Sequence, residues 1–136
     1  YHSRKEKEYF KNKGIKYFSD IKEIIKASEI LSLHVPYNYE TKNLLSAEEF
    51  SLFNNKLLIN TSRAGIVSKK ALIKSLKDLN NFYYFTDVLY TEPPQKEDLE
   101  IISNKHVFST AHIGGYSESA LIDVAQQSLL IIEREL

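Results

Sequence analysis

Short apolar runs alternate with helical patterns along the whole chain, and this alternation constrains the fold more than any other feature. Helical spacing, helix formers and capping residues predict helices within residues 4–14, 19–28, 46–53, 68–78 and 117–136. Between them, apolar runs rich in β-branched and aromatic residues predict strands at 15–18, 29–36, 56–60, 82–88 and 106–111. Such alternation predicts an α/β domain, a doubly wound parallel sheet with helices on both faces.

Capping residues support several of the predicted helix ends. Ser46 is followed three residues later by Glu49, which is the spacing of a capping box. Ser117 suits the N-cap of the last helix, and Gly14 suits the C-cap of the first.

Composition limits the size and the partners of the protein. A chain of 136 residues, 43% hydrophobic and 26% charged, suits one globular domain. Eighteen basic residues balance eighteen acidic ones, and no apolar run is long enough to span a bilayer, so we expect a cytoplasmic protein with no nucleic-acid or membrane partner. Cysteine is absent, which removes disulfides, thiolate nucleophiles and cysteine-ligated metals, and we predict no metal site. Methionine is absent too, so we expect the chain to be part of a longer protein.

Polar residues lie at or just beyond the carboxyl ends of four of the predicted strands: His34, Arg63, Asp87 and His112. Because the carboxyl ends of parallel strands meet at one edge of a sheet, we expect these side chains to converge there. Each residue alone also has an ordinary interpretation, as a surface arginine, a turn aspartate or a turn histidine. Glu92, in "LYTEPP", is the least informative by itself.

The residue types suit one kind of chemistry. An imidazole exchanges protons near neutral pH, a carboxylate behind it fixes its tautomer, and a guanidinium binds a carboxylate through two hydrogen bonds. Together they suit a reaction at a carbonyl or alcohol that carries a carboxylate. The sequence has no G-x-S-x-G and no H-E-x-x-H motif, which argues against a serine acyltransferase and a zinc hydrolase.

Four segments carry a family resemblance: "SLHVPYNYETKNLLSAEEF", "LLINTSRAGIVSKKALIKSL", "TDVLYTEPP" and "TAHIGG". They resemble the nucleotide-binding domain of the D-isomer-specific 2-hydroxyacid dehydrogenases, which include D-3-phosphoglycerate, D-lactate and glycerate dehydrogenases and glyoxylate/hydroxypyruvate reductases. The resemblance covers nearly the whole chain. It implies a Rossmann-like fold, NAD or NADP as cofactor, a small 2-keto acid or D-2-hydroxyacid as substrate, and a homodimer.

The resemblance also assigns roles to individual residues. It implies that Arg63 binds the substrate carboxylate, that His112 is the general acid/base, and that Glu92 pairs with His112 and keeps it protonated for reduction. The implied cofactor-binding residues are His34, Val35, Pro36, Thr61, Ser62, Arg63, Asp87, His112, Gly114 and Gly115.

One departure from the family pattern concerns the phosphate-binding loop. The family's G-x-G-x-x-G motif is absent from this chain, whose four glycines lie elsewhere. We therefore expect residues 1–136 to form the C-terminal major part of a nucleotide-binding domain without its first strand and glycine-rich loop. The substrate domain is expected to be absent from this chain, and the 136 residues alone are predicted to be inactive.

A second departure concerns the cofactor. NAD-dependent members carry an acidic residue that binds the ribose hydroxyls, whereas here Ser3 and Arg4 stand in that stretch and no carboxylate precedes Glu6. Ser3 followed by Arg4 and Lys5 suits a 2′-phosphate, so one hypothesis is that NADPH is used at least as well as NADH. The alternative is that Arg4 and Lys5 merely begin a solvated helix.

Other functions stay open at this point. Formate dehydrogenases carry a glutamine where Glu92 stands, which argues against formate, whereas a phosphite-oxidising relative would keep Arg63, Glu92 and His112. An NAD(H)-sensing corepressor and an inactive, truncated partner subunit are further alternatives. "HIGG" and "TEPP" resemble phosphoglycerate dehydrogenases, whereas "YHSR" resembles NADPH-linked glyoxylate/hydroxypyruvate reductases, so the substrate is not assigned.

Overall fold

A four-stranded parallel sheet forms the centre of the computed structural model, which describes residues 1–135. The strands are β1 (Ile30–Leu33), β2 (Leu57–Asn60), β3 (Tyr83–Thr86) and β4 (Val107–Ser109), in the spatial order β1-β2-β3-β4. Their last residues, from Leu33 to Ser109, stand side by side in the register. The predicted parallel α/β architecture is confirmed, and the loops that follow the four strands start from one edge.

Six helices and one 3-10 turn connect and flank the strands. They are α1 (Glu8–Lys11), α2 (Ile21–Ala27), α3 (Ala47–Phe50), the 3-10 turn Ala64–Ile66, α4 (Lys69–Asp78), α5 (Lys96–Ile102) and α6 (Glu118–Glu135). Among the described helices, none combines the length and the hydropathy that crossing a bilayer requires. Helix α5 was not predicted, because charged residues outnumber apolar ones in its seven positions.

Several elements are shorter than their predicted ranges. The predicted helix 4–14 is only α1, and Gly14 closes the turn behind it with φ +68°. The predicted strand 15–18 is reduced to one parallel bridge between Phe18 and His2. The predicted strand 29–36 ends at Leu33 because its partner β2 ends at Asn60, where the chain turns. An apolar run does not reveal where its neighbour stops pairing.

The predicted N-caps at Ser46 and Ser117 are confirmed, whereas the C-cap of the first helix is Asn12 rather than the predicted Gly14. The Glu49 carboxylate accepts hydrogen bonds from the Ser46 backbone N–H at 3.0 Å and from the Ser46 hydroxyl at 2.7 Å. The Ser117 hydroxyl accepts from the Ala120 N–H at 3.2 Å at the start of α6. These contacts satisfy groups that would otherwise be unpaired at a helix N-terminus.

The core lies on one face of the sheet. Leu58, Tyr84 and Val107 are side-by-side partners in the register and are all buried. They belong to one cluster with apolar side chains of the helices and loops, including Ile25, Phe50, Phe53, Leu72, Phe82 and Ile101. Each such side chain contributes on the order of 2 kcal/mol when it leaves water, so this layer fixes the sheet on which the site stands.

The opposite face differs from the sequence expectation. Ile30, Tyr83, Phe85 and Phe108 are between 39% and 59% exposed, although the apolar runs predict burial on both faces. Phe85 and Phe108 stack on each other with ring centroids 4.6 Å apart. In the part of the chain that the structure describes, this face is therefore open to solvent.

Candidate active site

The loop after β2 is shaped by a buried asparagine. The Asn60 side chain accepts from the Ser62 N–H at 3.1 Å and donates to the Arg63 carbonyl at 3.1 Å. The Ser62 hydroxyl donates to the Leu33 carbonyl at 2.8 Å and ties the loop to β1. The backbone of Arg63 is thus fixed, whereas its guanidinium is exposed and donates to the Ser62 carbonyl at 2.7 Å.

Asp87 holds the turn that carries His112. One carboxylate oxygen accepts from the Ile113 N–H at 2.9 Å and from the Thr110 hydroxyl, and the other accepts from the Gly114 N–H at 2.8 Å. Burial raises the pKa of Asp87, but the hydrogen bonds from Thr110, Gly114 and Ile113 outweigh it, and the pKa is lowered overall. Asp87 is therefore an ionised anchor for the turn.

The turn requires an unusual backbone. His112 adopts φ +56°, a left-handed conformation that is uncommon outside glycine. A Cβ atom on Gly114 would lie 2.8 Å from Asp87 Oδ2, so a side chain at this position would collide with the anchor. The sequence "HIGG" forms a tight turn around the Asp87 carboxylate.

His112 and Glu92 form a direct pair. The Nδ1 atom of His112 lies 2.9 Å from both carboxylate oxygens of Glu92. The hydrogen bond from His112 lowers the pKa of Glu92, with smaller contributions from the Leu89 N–H and from the charges of His112 and Arg63. Because a carboxylate only accepts, Nδ1 carries the proton and Nε2 is the ring nitrogen left for chemistry.

Two clefts run along the carboxyl edge of the sheet and share Arg63. The first, of about 630 Å³, is lined by Thr61, Arg63, Asp87, Thr110, His112, Ile113, Gly114 and Gly115. The second, of about 580 Å³, is lined by His34, Val35, Pro36, Tyr37, Ser62 and Arg63. The clefts are of the size that small-molecule sites usually have. They bring together most of the residues that the sequence predicted, and Glu92 supports His112 at the border of the first.

Sequence reasoning missed three lining residues: Tyr37, Thr110 and Ile113. Tyr37 lies over Gly65, where an added Cβ would stand 2.7 Å from the Tyr37 ring. Thr110 and Ile113 flank the His112 turn and bond Asp87. Only the closeness of Thr110 and Ile113 to His112 could have pointed to them, and nothing in the sequence singles out Tyr37.

Ser3 and Arg4 lie apart from this group. The Ser3 hydroxyl donates to the Lys5 carbonyl, and Arg4 Nη1 lies 3.6 Å from Glu40 Oε2, with both side chains largely exposed. The two clefts above are not lined by either residue. Within residues 1–135, no cluster of three or more histidine, aspartate or glutamate side chains has the arrangement of a metal site.

Comparisons with known proteins identify relatives of this chain. The chain is 36% identical over 110 residues to glyoxylate reductase of Thermococcus litoralis, covering 80% of this chain and 33% of that protein. It is 31% identical over 115 residues to D-3-phosphoglycerate dehydrogenase of Methanocaldococcus jannaschii, covering 84% of this chain and 22% of that protein. The chain thus spans about a fifth to a third of the length of these relatives.

A solved structure and a family model extend the comparison. The fold superposes on D-lactate dehydrogenase from Aquifex aeolicus, complexed with NAD and lactic acid, with a TM-score of 0.82 and 26% identity, covering 97% of this chain and 44% of that one. Residues 1–114 match the model of the D-isomer specific 2-hydroxyacid dehydrogenase, NAD binding domain. The chain belongs to this family of NAD-binding domains.

Proposed function

We propose that the protein containing this chain transfers hydride between a nicotinamide dinucleotide and a small 2-keto acid or D-2-hydroxyacid. The observation that carries this proposal is the His112–Glu92 pair, with Nδ1 2.9 Å from the carboxylate, beside a cleft that also contains Arg63. Relatives named for phosphoglycerate and glyoxylate, and a structural neighbour that holds NAD and lactic acid, support the same class of reaction.

The residues of the clefts fit a nicotinamide cofactor. Hydroxyl groups of Thr61 and Ser62 and backbone amides near Gly115 can meet its polar groups, and a Cβ on Gly115 would meet nothing within 4 Å, so the backbone there borders open space. Asp87, Gly114 and the segment 34–36 complete the proposed contact set. When bound, the nicotinamide supplies or accepts the hydride at the substrate's C2 carbon.

Arg63 is the proposed substrate anchor. Arg63 lines both clefts and is exposed, and its backbone is fixed by Asn60. A guanidinium binds a carboxylate through two parallel, charge-assisted hydrogen bonds, which set the orientation of the substrate as well as its affinity. The substrate carbonyl, next to that carboxylate, would then lie within reach of His112.

His112 and Glu92 are the proposed proton-transfer pair. In reduction, Nε2 of His112 donates a proton to the keto oxygen as hydride reaches the carbon, and the product is the alcohol. In oxidation, the same nitrogen accepts the hydroxyl proton. Glu92 is kept ionised by its lowered pKa, and its negative charge stabilises the imidazolium form from which the proton is donated.

The test is loss of reduced-cofactor absorbance with the longest reading frame that encodes this chain. NADH and NADPH are offered separately with glyoxylate, hydroxypyruvate, pyruvate and phosphohydroxypyruvate. We expect turnover with at least one pair, and a fall of about 10²- to 10⁴-fold in His112→Asn, the usual contribution of a general acid/base.

Failure with every pair, while the cofactor still binds, would overturn the proposed reaction. Phosphite is then the next substrate to offer, because a phosphite oxidation can use the same three side chains. The solution mass, measured with and without cofactor, tests the expected homodimer. A mass that changes with the cofactor would favour a cofactor-sensing role.

A further inference from the structure

An aspartate outside both clefts has an unusual environment. Asp98, in α5, is completely buried. One of its carboxylate oxygens accepts from the Thr91 hydroxyl and from the Gln95 N–H, and the other lies 3.2 Å from Lys69 Nζ of α4. Burial raises the pKa of Asp98, but the hydrogen bonds from Thr91 and Gln95 and the interaction with the charged Lys69 outweigh it, and the pKa is lowered overall.

Stability alone does not account for such a group. A buried ion pair seldom stabilises a protein more than well-packed apolar side chains would, because both charges lose their hydration. The Asp98 carboxylate, held by Lys69, instead fixes the position of the Thr91 hydroxyl that donates to it. It thereby restrains the backbone that precedes α5.

The segment held in this way leads directly to Glu92. Thr91 is bonded to Asp98, and Tyr90 donates to the Val67 carbonyl at 2.8 Å while its ring centroid lies 4.8 Å from Lys69 Nζ. The two residues before Glu92 are thus fixed from the side of α4. The Glu92 side chain itself is 45% exposed, so its own packing restrains it little.

We propose that Asp98 is a positioning residue, which acts through Thr91 to fix the backbone from which Glu92 reaches His112. This inference rests on the proposed function, which gives the Glu92–His112 contact its catalytic meaning. Asp98 itself touches neither cleft. If Asp98 were displaced, the Glu92 carboxylate would shift relative to His112, whereas Arg63 would stay in place.

The decisive variant is Thr91→Val, which removes the hydroxyl link and keeps the Asp98–Lys69 pair. Asp98→Asn would leave Lys69 without its buried counter-charge and would test the fold as much as the position. Thr91→Ser restores the hydroxyl. Glu100→Gln is the matched control, because the Lys77–Glu100 pair, at 2.7 Å, joins the same two helices at the surface.

Two measurements on protein from the longest reading frame test the inference. The pKa of Glu92 is followed by NMR of ¹³C-carboxyl-labelled glutamate, with the resonance assigned by Glu92→Gln. In Thr91→Val we expect this pKa to rise toward the ordinary value of a glutamate. We also expect kcat to fall about ten- to hundred-fold with KM for the keto acid little changed, because misplacement rather than lost binding is introduced. Thr91→Ser and Glu100→Gln are expected to have the wild-type kcat and the wild-type pKa of Glu92.

If Thr91→Val left both kcat and the pKa of Glu92 unchanged, the inference would be overturned. It would also be overturned if Glu100→Gln lowered kcat as much as Thr91→Val does, because any contact between α4 and α5 would then have the same effect. Absence of wild-type turnover would overturn the proposed function instead. The Glu92 titration needs no turnover, so it decides the Asp98–Thr91–Glu92 link in either case.

Discussion

Replacing Asp87 with asparagine tests whether one carboxylate holds the His112 turn. Asp87 is only 9% exposed, and its two oxygens accept from the N–H groups of Ile113 and Gly114 on different sides. Asparagine offers one oxygen and one NH₂ group. Whichever way the amide is placed, a side-chain donor faces a backbone donor, so at least one backbone N–H loses its partner.

The expected loss of stability follows from the one backbone N–H group that loses its partner. Leaving a partly buried donor unpaired costs less than the roughly 1–3 kcal/mol of a fully buried one, so we expect Asp87→Asn to lower the free energy of unfolding by about 1 kcal/mol. The turn that carries His112 also loses an anchor, and a displacement of about 1 Å at a reacting group can cost about 10²-fold in rate. We therefore expect kcat/KM to fall by about two orders of magnitude in a protein that still folds.

The pH dependence of stability gives an independent check. The pKa of Asp87 is lowered in the folded state, so its contribution to stability is present above the unfolded value of about 4 and is lost as pH falls through the folded pKa. Wild type should thus exceed Asp87→Asn in stability at neutral pH, and the gap should shrink in acid.

Urea unfolding at several pH values and steady-state kinetics measure both effects. Asp78→Asn is the control, because it makes the same chemical change at an exposed residue at the end of α4. It should change neither the free energy of unfolding nor kcat/KM. A stability gap that is equal for the two variants, or an Asp87→Asn enzyme with wild-type kinetics, would refute the anchor argument.

Three further substitutions test other parts of the site. Gly114→Ala should destabilise the fold by about 1–3 kcal/mol, measured by urea unfolding, because the new Cβ meets Asp87 Oδ2 at 2.8 Å; an unchanged midpoint would contradict this. Arg63→Lys should raise KM for the keto acid about ten-fold or more, since lysine lacks the two-pronged geometry; kinetics with wild-type KM would argue against a bound carboxylate. Arg4→Ala should weaken NADPH binding about ten-fold and leave NADH binding unchanged in an equilibrium titration. The exposed Arg4–Glu40 ion pair is worth only about 0–1 kcal/mol, so a 2′-phosphate can replace Glu40 as the partner of Arg4. If the wild type bound NADH much more tightly than NADPH, the NADP hypothesis would be rejected.

The parallel sheet and the edge that carries the candidate site could be predicted from the sequence because both depend on local patterns. Apolar runs separated by helical segments specify parallel strands, and a polar residue after each run then falls at the common edge. His112, Arg63 and Asp87 were found in this way. The predicted helix starts at Ser46 and Ser117 have the same origin, since a cap depends on neighbours within three residues.

What could not be predicted depends on contacts between distant residues. Helix α5 carries more charged than apolar side chains, and its one fully buried acid, Asp98, accepts a hydrogen bond from Thr91 and forms an ion pair with Lys69 of another helix. The hydrophobic periodicity of a sequence does not reveal a partner that lies in another helix. A glutamine at position 95 followed three residues later by Asp98 was the available signal, because it has the spacing of a capping pair.

The three carboxylates around the site differ in burial, and this difference separates their tasks. Asp98 and Asp87 are buried and accept hydrogen bonds from hydroxyl and backbone N–H groups, and Asp98 also pairs with Lys69, so each restrains a segment of backbone. Glu92 is exposed and faces His112, so its charge is free to respond to the proton on that ring. A buried carboxylate cannot change its charge without losing several bonds, whereas an exposed one can follow the histidine through a reaction. In the function proposed above, precise placement of the exposed His112–Glu92 pair therefore comes from the segments that the buried acids hold.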